Sequence, residues 1–189
     1  MTDSTAADVA DAELVARARG GDHQAYAQLV RRHQRTALRV AYAICGSTTE
    51  AEDVAQEAFV KAYRALGTYR GDSAWRPWLL RVVANEAKNR VRADVRRRRT
   101  TLRHAGLAAD PPADPGDLAV GRLTNEAVIR ALANLPEVHR EVLACRFVAG
   151  LSEAETAQVL EIAGGTVKSR QSRALARLRD VLEEELADG

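Results

Sequence analysis

The sequence predicts an all-α fold in which two helical domains are joined by a flexible linker. Apolar residues recur at helical spacing along most of the 189 residues, and we find no segment that alternates as a half-buried strand does. Aromatic residues make up only 4% of the chain, so its cores must be mostly Ala, Leu and Val, which favours closely packed helices. A stretch rich in Pro and Asp interrupts the helical pattern and predicts the linker.

These patterns divide the chain into four segments. Residues 1–10 are small and polar and are expected to be disordered. The first helical domain should span residues 11–100, the linker residues 101–121, and the second helical domain residues 122–186.

The first domain should begin with three helices separated by glycines. Helical pattern starts at Asp11 and breaks at Gly20-Gly21, after which Asp22 can cap a second helix. Gly46 ends that helix, and Ser47 with Glu50 resembles a capping box that opens a third helix, from about Thr49 to Leu66.

The third helix has two distinct sides. Its inward side is apolar, with Val54, Ala55, Ala58, Phe59, Ala62 and Leu66. Its outward side carries Asp53, Gln56, Glu57, Val60 and Arg64. A solvated helix face is one interpretation of this outward set, and a protein-docking surface with an apolar centre at Val60 is the other.

A long helix follows the loop of residues 67–73, with Pro77 tolerated in its first turn. Its apolar side includes Trp78, Leu79, Val82, Val83 and Ala87. Its other side is basic and rich in amides, with Arg76, Arg81, Asn85, Lys88, Asn89 and Arg92, and Trp75 and Tyr69 lie near its start. Such a side can hold unpaired nucleic acid, because cations follow the phosphates and rings stack on bases. The alternative is core tryptophans beside solvated arginines; we expect Trp78 in the core and leave Trp75 open.

The second domain ends in a predicted helix-turn-helix between Leu151 and Leu182. Ser152 and Glu155 form a capping box for its first helix, and Ile162-Ala163-Gly164-Gly165 break the run before Thr166, which can help to cap the second. One side of the second helix is apolar except for Gln171. The opposite side carries Lys168, Ser169, Ser172 and Arg173, flanked by Arg170, Arg177 and Arg179. These groups suit phosphates and base edges in a major groove, although a solvated basic helix in an ordinary bundle has the same pattern.

Other classes of site find little support in the sequence. Cys45 and Cys145 lie far apart in apolar helical contexts, which indicates two buried thiols in a reducing compartment. The four histidines lack the spacing of metal ligands, and we expect neither a metal nor a cofactor. The chain also shows neither a signal-peptide pattern nor a membrane-spanning apolar run, so a cytoplasmic location is expected.

Several stretches together resemble the extracytoplasmic-function, or group IV, sigma factors of bacterial RNA polymerase. They are DAELVARARGGDHQAYAQLVRRH, AEDVAQEAFVKAYRAL, YRGDSAWRPWLLRVVANEAKNRV, LPEVHREVLACRFVAGLSEAETAQVL and GGTVKSRQSRALARLR. Each is moderately specific, but their order and spacing are strongly so, and the likeness covers nearly everything from Asp11 to Leu182.

This resemblance implies a role for each surface. Asp53, Gln56 and Glu57, with Val60 among them, would contact core RNA polymerase. The long helix, including Trp75, Asn85 and Lys88, would melt the minus-ten element of promoter DNA and capture flipped bases. Thr166, Lys168, Ser169, Arg170, Ser172, Arg173 and Arg177 would read the minus-thirty-five element, and an anti-sigma factor would control the protein. The acidic linker would run through the RNA exit path of the polymerase.

The chain departs from the family pattern at a few positions. Glu161 stands where the turn of the helix-turn-helix often has Gly, and Ala163-Gly164 stands for Pro-Val. Thr156 replaces a common Ile, Gln171 replaces a usual Leu, and Pro77 replaces a Thr or Ser.

Three rival functions remain open at the sequence level. The first is a stand-alone helix-turn-helix regulator that binds duplex DNA without polymerase. The second is a hydrolase that uses Glu50, Glu52 and Asp53, although these carboxylates lie on an open helix face without a nearby His. The third is a degenerate family member that is retained as a protein-binding module.

Overall fold

A computed structural model describes the backbone of residues 2–71, 74–105, 132 and 134–187, with side chains described for residues 10–71, 74–97, 132 and 134–183. Every regular element in these ranges is helical. The α-helices are α1 (Thr2–Arg19), α2 (His23–Cys45), α3 (Thr48–Ala65), α4 (Trp75–Ala105), α5 (Glu137–Leu143), α6 (Glu153–Leu160) and α7 (Gly164–Ala187). A 3₁₀ turn (Leu66–Thr68) follows α3, and a π-helical turn (Ala144–Val148) extends α5.

The caps of the first domain follow the sequence. The Asp22 carboxylate accepts a hydrogen bond from the Ala25 amide at 3.0 Å, and Gly46 ends α2 in the left-handed region at φ 73°. Ser47 caps α3 through the Glu50 amide at 3.5 Å. These local signals fix where the helices begin and end.

Helix α1 is attached to α2 by a buried polar cluster. The Asp11 carboxylate lies 2.7 Å from Nε2 of His33 and 2.5 Å from a guanidinium nitrogen of Arg32. Burial by itself raises the pKa of Asp11, but hydrogen bonds to His33 and Arg32 and their positive charge outweigh it and lower the pKa. Asp11 is therefore ionised, and its contacts with Arg32 and His33 hold α1 against α2.

Two predicted boundaries differ from the structure. The backbone of α1 already begins at Thr2, although residues 1–10 were expected to be disordered. Helix α4 continues to Ala105, so its last five residues, 101–105, lie in the predicted linker. The rest of the linker, and the start of the second domain at residues 122–131, lie outside the described residues.

Helices α2, α3 and α4 pack on one another and form the body of the first domain. The six inward residues predicted for α3 are all buried. Helices α5, α6 and α7 form the second body, and α6 also packs against α4. The buried apolar side chains of both bodies make one continuous cluster, so the two predicted domains are in contact.

Candidate nucleic-acid interface and docking groove

An open groove of about 1170 Å³ runs between α2 and α3 on the side away from α4. Its floor is apolar, and its rim carries charges and amides. Its lining includes Tyr26, Val30, Leu38, Phe59, Val60, Arg31, Gln34, Arg35, Glu52, Gln56 and Arg64. Concave apolar surfaces with a polar rim are typical of binding sites.

Two tyrosines fix the end of this groove. The Tyr26 hydroxyl donates a hydrogen bond to the carbonyl of Phe59, and burial raises the pKa of Tyr26, so the hydroxyl keeps its proton. The Tyr63 ring lies 4.8 Å from the Tyr26 ring, and its hydroxyl lies 3.0 Å from Nδ1 of His23. These contacts join α2 to α3 at this end of the groove.

The four residues predicted to bind polymerase lie in two different places. Gln56 and Val60 line the groove, where Val60 is 38% exposed. Asp53 turns toward α4 and lies 3.3 Å from Arg90, while Glu57 lies 3.9 Å from Lys61. These two carboxylates flank the groove and do not line it.

Sequence reasoning missed the α2 half of this groove. Tyr26, Val30 and Leu38 are each only partly buried, and no docking residue was predicted on α2. Their spacing of four and eight residues, continued by Gln34, describes one stripe along α2. The sequence signal for this stripe is a second set of apolar residues on α2 that lies beside the residues packed in the core.

The aromatic residues near the start of α4 form a compact cluster. The Trp75 ring lies 5.6 Å from Tyr69 in an edge-to-face arrangement and 5.0 Å from Trp78. Trp75 is only 2% exposed, so its ring is not accessible to a base in this conformation, and its role in DNA binding stays a prediction. Trp78, which was expected in the core, is partly exposed. The first turn of α4 points Trp75 inward because it packs against Tyr69 from the preceding loop.

The basic side of α4 faces the second body. Arg76 donates a hydrogen bond to the carbonyl of Ala149, and Arg81 forms an ion pair with Glu161. A guanidinium nitrogen of Arg92 lies 3.1 Å from the Glu137 carboxylate. Among the other predicted residues of this side, Asn85 and Lys88 are half-buried, and Asn89 is exposed.

A buried carboxyl lies opposite this basic side. Glu141 of α5 is 4% exposed, and burial raises its pKa to about 6, with the negative charge of Glu137 adding to the effect. Lys88 and Arg92 of α4 oppose this shift. The side of α4 is thus covered by acidic groups from α5 and from the turn after α6.

The helix-turn-helix is formed by α6 and α7. The predicted capping box is present, since the Ser152 hydroxyl accepts from the Glu155 amide at 3.2 Å and the Glu155 carboxylate accepts from the Ser152 amide at 2.7 Å. Helix α6 ends at Leu160 and is capped by Glu161, which has a left-handed φ of 55°. Helix α7 begins at Gly164, so the two glycines lie in its first turn and Thr166 is not its cap.

The predicted recognition side of α7 is open. Lys168, Ser169, Ser172, Arg173 and Arg177 are exposed, while Thr166 and Arg170 are half-buried. Arg173 donates to the carbonyl of Ser169 at 3.2 Å, which holds its guanidinium along the helix. Desolvation lowers the pKa of His139 on α5, and the positive charges of Arg177, Arg173 and Arg170 lower it further. This surface is therefore positively charged and accessible to an anionic groove.

Other classes of site have no support in the described part of the chain. Within these residues, His, Cys, Asp and Glu side chains do not gather in groups of three that could hold a metal ion. No described helix has an apolar stretch long enough to cross a bilayer. Both cysteines are free, and burial raises each thiol pKa to about 12, which leaves them unreactive.

Comparison with known families matches both bodies. Residues 29–98 match sigma-70 region 2, and residues 131–180 match sigma-70 region 4. The RNA polymerase sigma-H factor of Pseudomonas aeruginosa is 37% identical over 184 residues, which cover 92% of this chain and 94% of that protein. The ECF RNA polymerase sigma factor SigM of Mycobacterium tuberculosis is 38% identical over 172 residues, 91% of this chain and 84% of the relative.

A solved structure has a similar fold. The structure of CnrH in complex with the cytosolic domain of CnrY aligns with a TM-score of 0.69 and 29% sequence identity. The alignment covers 93% of this chain and 98% of CnrH.

Proposed function

The chain belongs to the extracytoplasmic-function sigma factors of the sigma-70 family, and from this membership we propose that it is a dissociable promoter-specificity subunit of RNA polymerase. It binds core polymerase, recognises specific promoters and melts them so that transcription starts. The observation that carries the proposal is the presence, on one chain, of a docking groove on α2 and α3 and an exposed cationic recognition helix, α7.

The recognition helix reads the minus-thirty-five element. In a helix-turn-helix, the second helix enters the major groove and its N-terminal residues meet the base edges. Lys168, Ser169, Ser172 and Arg173 lie in that half of α7 and are exposed. Arginine can contact guanine through two hydrogen bonds, whereas Ser serves bases or phosphates, so Arg173 is the residue best suited to specify a base.

The basic side of α4 holds the minus-ten element. Arg76, Arg81, Asn85, Lys88, Asn89 and Arg92 supply cations and amides along one side of this helix. An unpaired strand can be bound there by phosphate contacts, and bases at A·T-rich or flexible steps are the cheapest to unstack. Binding energy for the unpaired strand drives melting, and no nucleotide hydrolysis is required.

The groove between α2 and α3 is the surface that docks on core polymerase. Its apolar floor around Val60 supplies buried area, and Gln56 supplies a hydrogen-bonding amide at its edge. Asp53 and Glu57 flank it and would steer a basic partner surface. The acidic linker would follow the RNA exit path of the polymerase.

A protein inhibitor of the anti-sigma type controls the subunit. The similar CnrH was solved with the cytosolic domain of CnrY bound, which supports a protein partner for a chain of this fold. Such a partner would cover the polymerase-binding and DNA-binding surfaces at once. The protein works where polymerase and promoter DNA are, in the cytoplasm.

Two rival functions fit the structure less well. A stand-alone regulator would not require the groove on α2 and α3. A hydrolase would require carboxylates that converge, but Glu52 lines the groove and Asp53 pairs with Arg90. Glu50 instead contacts Asp94. Burial and the neighbouring Asp94 carboxyl raise the pKa of Glu50 to about 7. Among the described residues, no group of His, Cys, Asp and Glu side chains that could hold a metal ion lies there.

Binding measurements separate the proposed subunit from a stand-alone regulator. Labelled promoter duplex is titrated with the free chain, with core polymerase, and with both. The proposal predicts specific binding only when both are present, and co-elution of the chain with core polymerase. Specific duplex binding by the chain alone, without any association with polymerase, would favour the regulator.

A further inference from the structure

Three arginines form a row along one edge of α7. Helix α7 packs against α5, and Val167 and Ala174 on the inward side of α7 are fully buried. Arg170, Arg173 and Arg177 recur at spacings of three and four residues, so they lie in one row beside that inward side. Arg170 is half-buried, and the other two are exposed. The row therefore lies between the packing side of α7 and its recognition side.

His139 of α5 faces this row. Desolvation lowers the pKa of His139, and the positive charges of Arg177, Arg173 and Arg170 lower it further. Its Nδ1 atom is buried and has no hydrogen-bond partner among the described residues, which leaves Nε2 as the ring nitrogen that can meet an outside group. An imidazole beside three cations becomes a favourable place for a proton only when an anion neutralises them.

The other charged and titratable groups on α5 and around it face different partners. The elements packed against α5 are α7, the π-helical turn, α2 and α6. The interactions formed there join Glu137 with Arg92, Glu141 with Lys88, Arg140 with Cys45, Arg146 with Gln171, and Glu155 with Ser152. Among the described residues, the three arginines are therefore the charges that act on His139.

We propose that His139 is a further DNA contact of this chain, in which its imidazole binds a backbone phosphate of the minus-thirty-five element beside Arg170 and Arg177. The inference rests on the proposed function, because it is α7 that brings the DNA to this place. A phosphate contact carries no sequence information directly, so His139 positions α7 in the major groove while Arg173 reads a base.

DNA binding should place a proton on His139. The arginine row disfavours the imidazolium in the free chain, whereas an adjacent phosphate favours it. The pKa of His139 is therefore higher in the complex than in the free chain, so the complex takes up a proton and the affinity rises as the pH falls between the two pKa values. The uptake is at most one proton, which limits the change to about tenfold per pH unit.

Holoenzyme binding at two pH values tests this contact. The probe is a fluorescein-labelled promoter duplex, selected by transcription from a randomised library and titrated at constant salt. At pH 6 wild type should bind it about two- to fivefold more tightly than His139→Gln, the equivalent of one exposed ion pair, and at pH 8 the two should bind alike. His139→Lys keeps its charge and should exceed His139→Gln by a similar factor at both pH values. Because each comparison is made at one pH, the pH dependence of the polymerase itself cancels.

The salt dependence of the same binding separates a phosphate contact from a structural role. At pH 6 the plot of log affinity against log salt concentration should be steeper for wild type than for His139→Gln by about 0.9, because one more phosphate is neutralised. At pH 8 the two plots should be parallel. Equal slopes at pH 6 would overturn the assignment, since a residue that only supports the fold changes the affinity without changing the number of counterions released.

The outcomes also distinguish failure of this contact from failure of the proposed function. Wild-type holoenzyme that binds the promoter duplex, with the same ratio to His139→Gln at pH 6 and pH 8, would overturn the His139 contact alone. A change in base preference with His139→Gln would overturn its assignment to a phosphate. A wild-type chain that gives core polymerase no promoter binding at either pH would overturn the proposed function and this contact together.

Discussion

Gln171 of α7 accepts a hydrogen bond from Nε of Arg146 at 3.0 Å, and Arg146 also donates to the carbonyl of Leu151. This relationship explains an amide on the packing side of α7, where the family resemblance predicts Leu. The Gln171 amide oxygen is a hydrogen-bond acceptor for the Arg146 guanidinium, and Arg146 links the π-helical turn to Leu151 at the start of the helix-turn-helix. Gln171 therefore stabilises the second body from the packing side of α7, opposite the side that we propose to bind DNA.

Replacing Gln171 by Leu should destabilise the chain, although Leu is the residue that the family resemblance predicts here. Arg146 would lose one of its two hydrogen-bond partners in a partly buried site and keep only the Leu151 carbonyl, at a cost of about 1–3 kcal/mol. Arg146→Met should be similarly costly, but the double variant should lose less than the sum, because neither polar group is left behind. Thermal unfolding of the wild type, the two single variants and the double variant, measured by circular dichroism, gives the free energies of this double-mutant cycle. Strictly additive effects would mean that the hydrogen bond does not couple the two residues.

Replacing Thr156 by Val should stabilise the chain. Thr156 is completely buried in α6, and its hydroxyl has no hydrogen-bond partner among the described residues. Valine has nearly the same shape without the unsatisfied group, so the gain should be about 1 kcal/mol. The check is the urea midpoint at constant slope. Thr166→Val, on the half-buried start of α7, is the control and should give no comparable gain; a fall in midpoint for Thr156→Val would contradict the assignment.

Lowering the pH should stabilise the wild type relative to Glu141→Gln. The folded pKa of Glu141 is about 6, above the ordinary 4.5, because the carboxyl is buried. Its stabilising effect is therefore complete below pH 4.5 and is lost as the pH rises through 6, a change of about 2 kcal/mol. Glu50 shifts in the same direction, so the difference between wild type and Glu141→Gln isolates Glu141. If the free energies of unfolding of wild type and Glu141→Gln differed by a constant amount between pH 4.5 and 7.5, the raised pKa of Glu141 would be contradicted.

Replacing Val60 by Lys should weaken binding to core polymerase without unfolding the chain. Val60 lines the groove and is 38% exposed, so the substitution is tolerated in the free protein but places an unpaired charge in the interface. The loss should be about ten- to hundredfold in affinity, measured by fluorescence titration of labelled chain. Val95→Lys, at a 51% exposed position of α4 outside the groove, is the matched control and should bind as wild type. Equal affinities of Val60→Lys and wild type would remove the groove from the proposal.

Replacing Arg173 by Ala should relax base preference at one position of the minus-thirty-five element. The lost contact corresponds to about 1–3 kcal/mol for the preferred base and little for the others. Holoenzyme binding to duplexes with each base at every position of the element gives the profile. Arg179→Ala, farther along α7, should at most lower all affinities together. A uniform loss with Arg173→Ala would assign Arg173 to phosphate.

Much of the fold could be predicted because its determinants are local. The Asp22 cap and the Ser152–Glu155 capping box are short-range signals, and the sequence also separated the inward side of α3 from its outward side. Trp75 could not be assigned in the same way. Its burial depends on the Tyr69 ring, which a loop brings back onto the helix, and helical periodicity carries no information about that loop.

The candidate sites were only partly predictable because they combine elements. The open side of α7 follows from its own periodicity, and the structure leaves Lys168, Ser172 and Arg173 exposed. The groove needs both α2 and α3, so reading α3 alone found Val60 and missed Tyr26. The Arg81–Glu161 pair joins residues 80 positions apart, and no local pattern indicates such a contact.

Transcription from a randomised promoter library tests the proposed function most directly. Purified core polymerase is supplied with the library, with or without the chain, and the 5′ ends of the transcripts are sequenced. We predict initiation that depends on the chain, from promoters that share two sequence elements at a fixed separation, and its loss with Val60→Lys. Core polymerase that starts at the same positions with and without the chain would contradict the proposal.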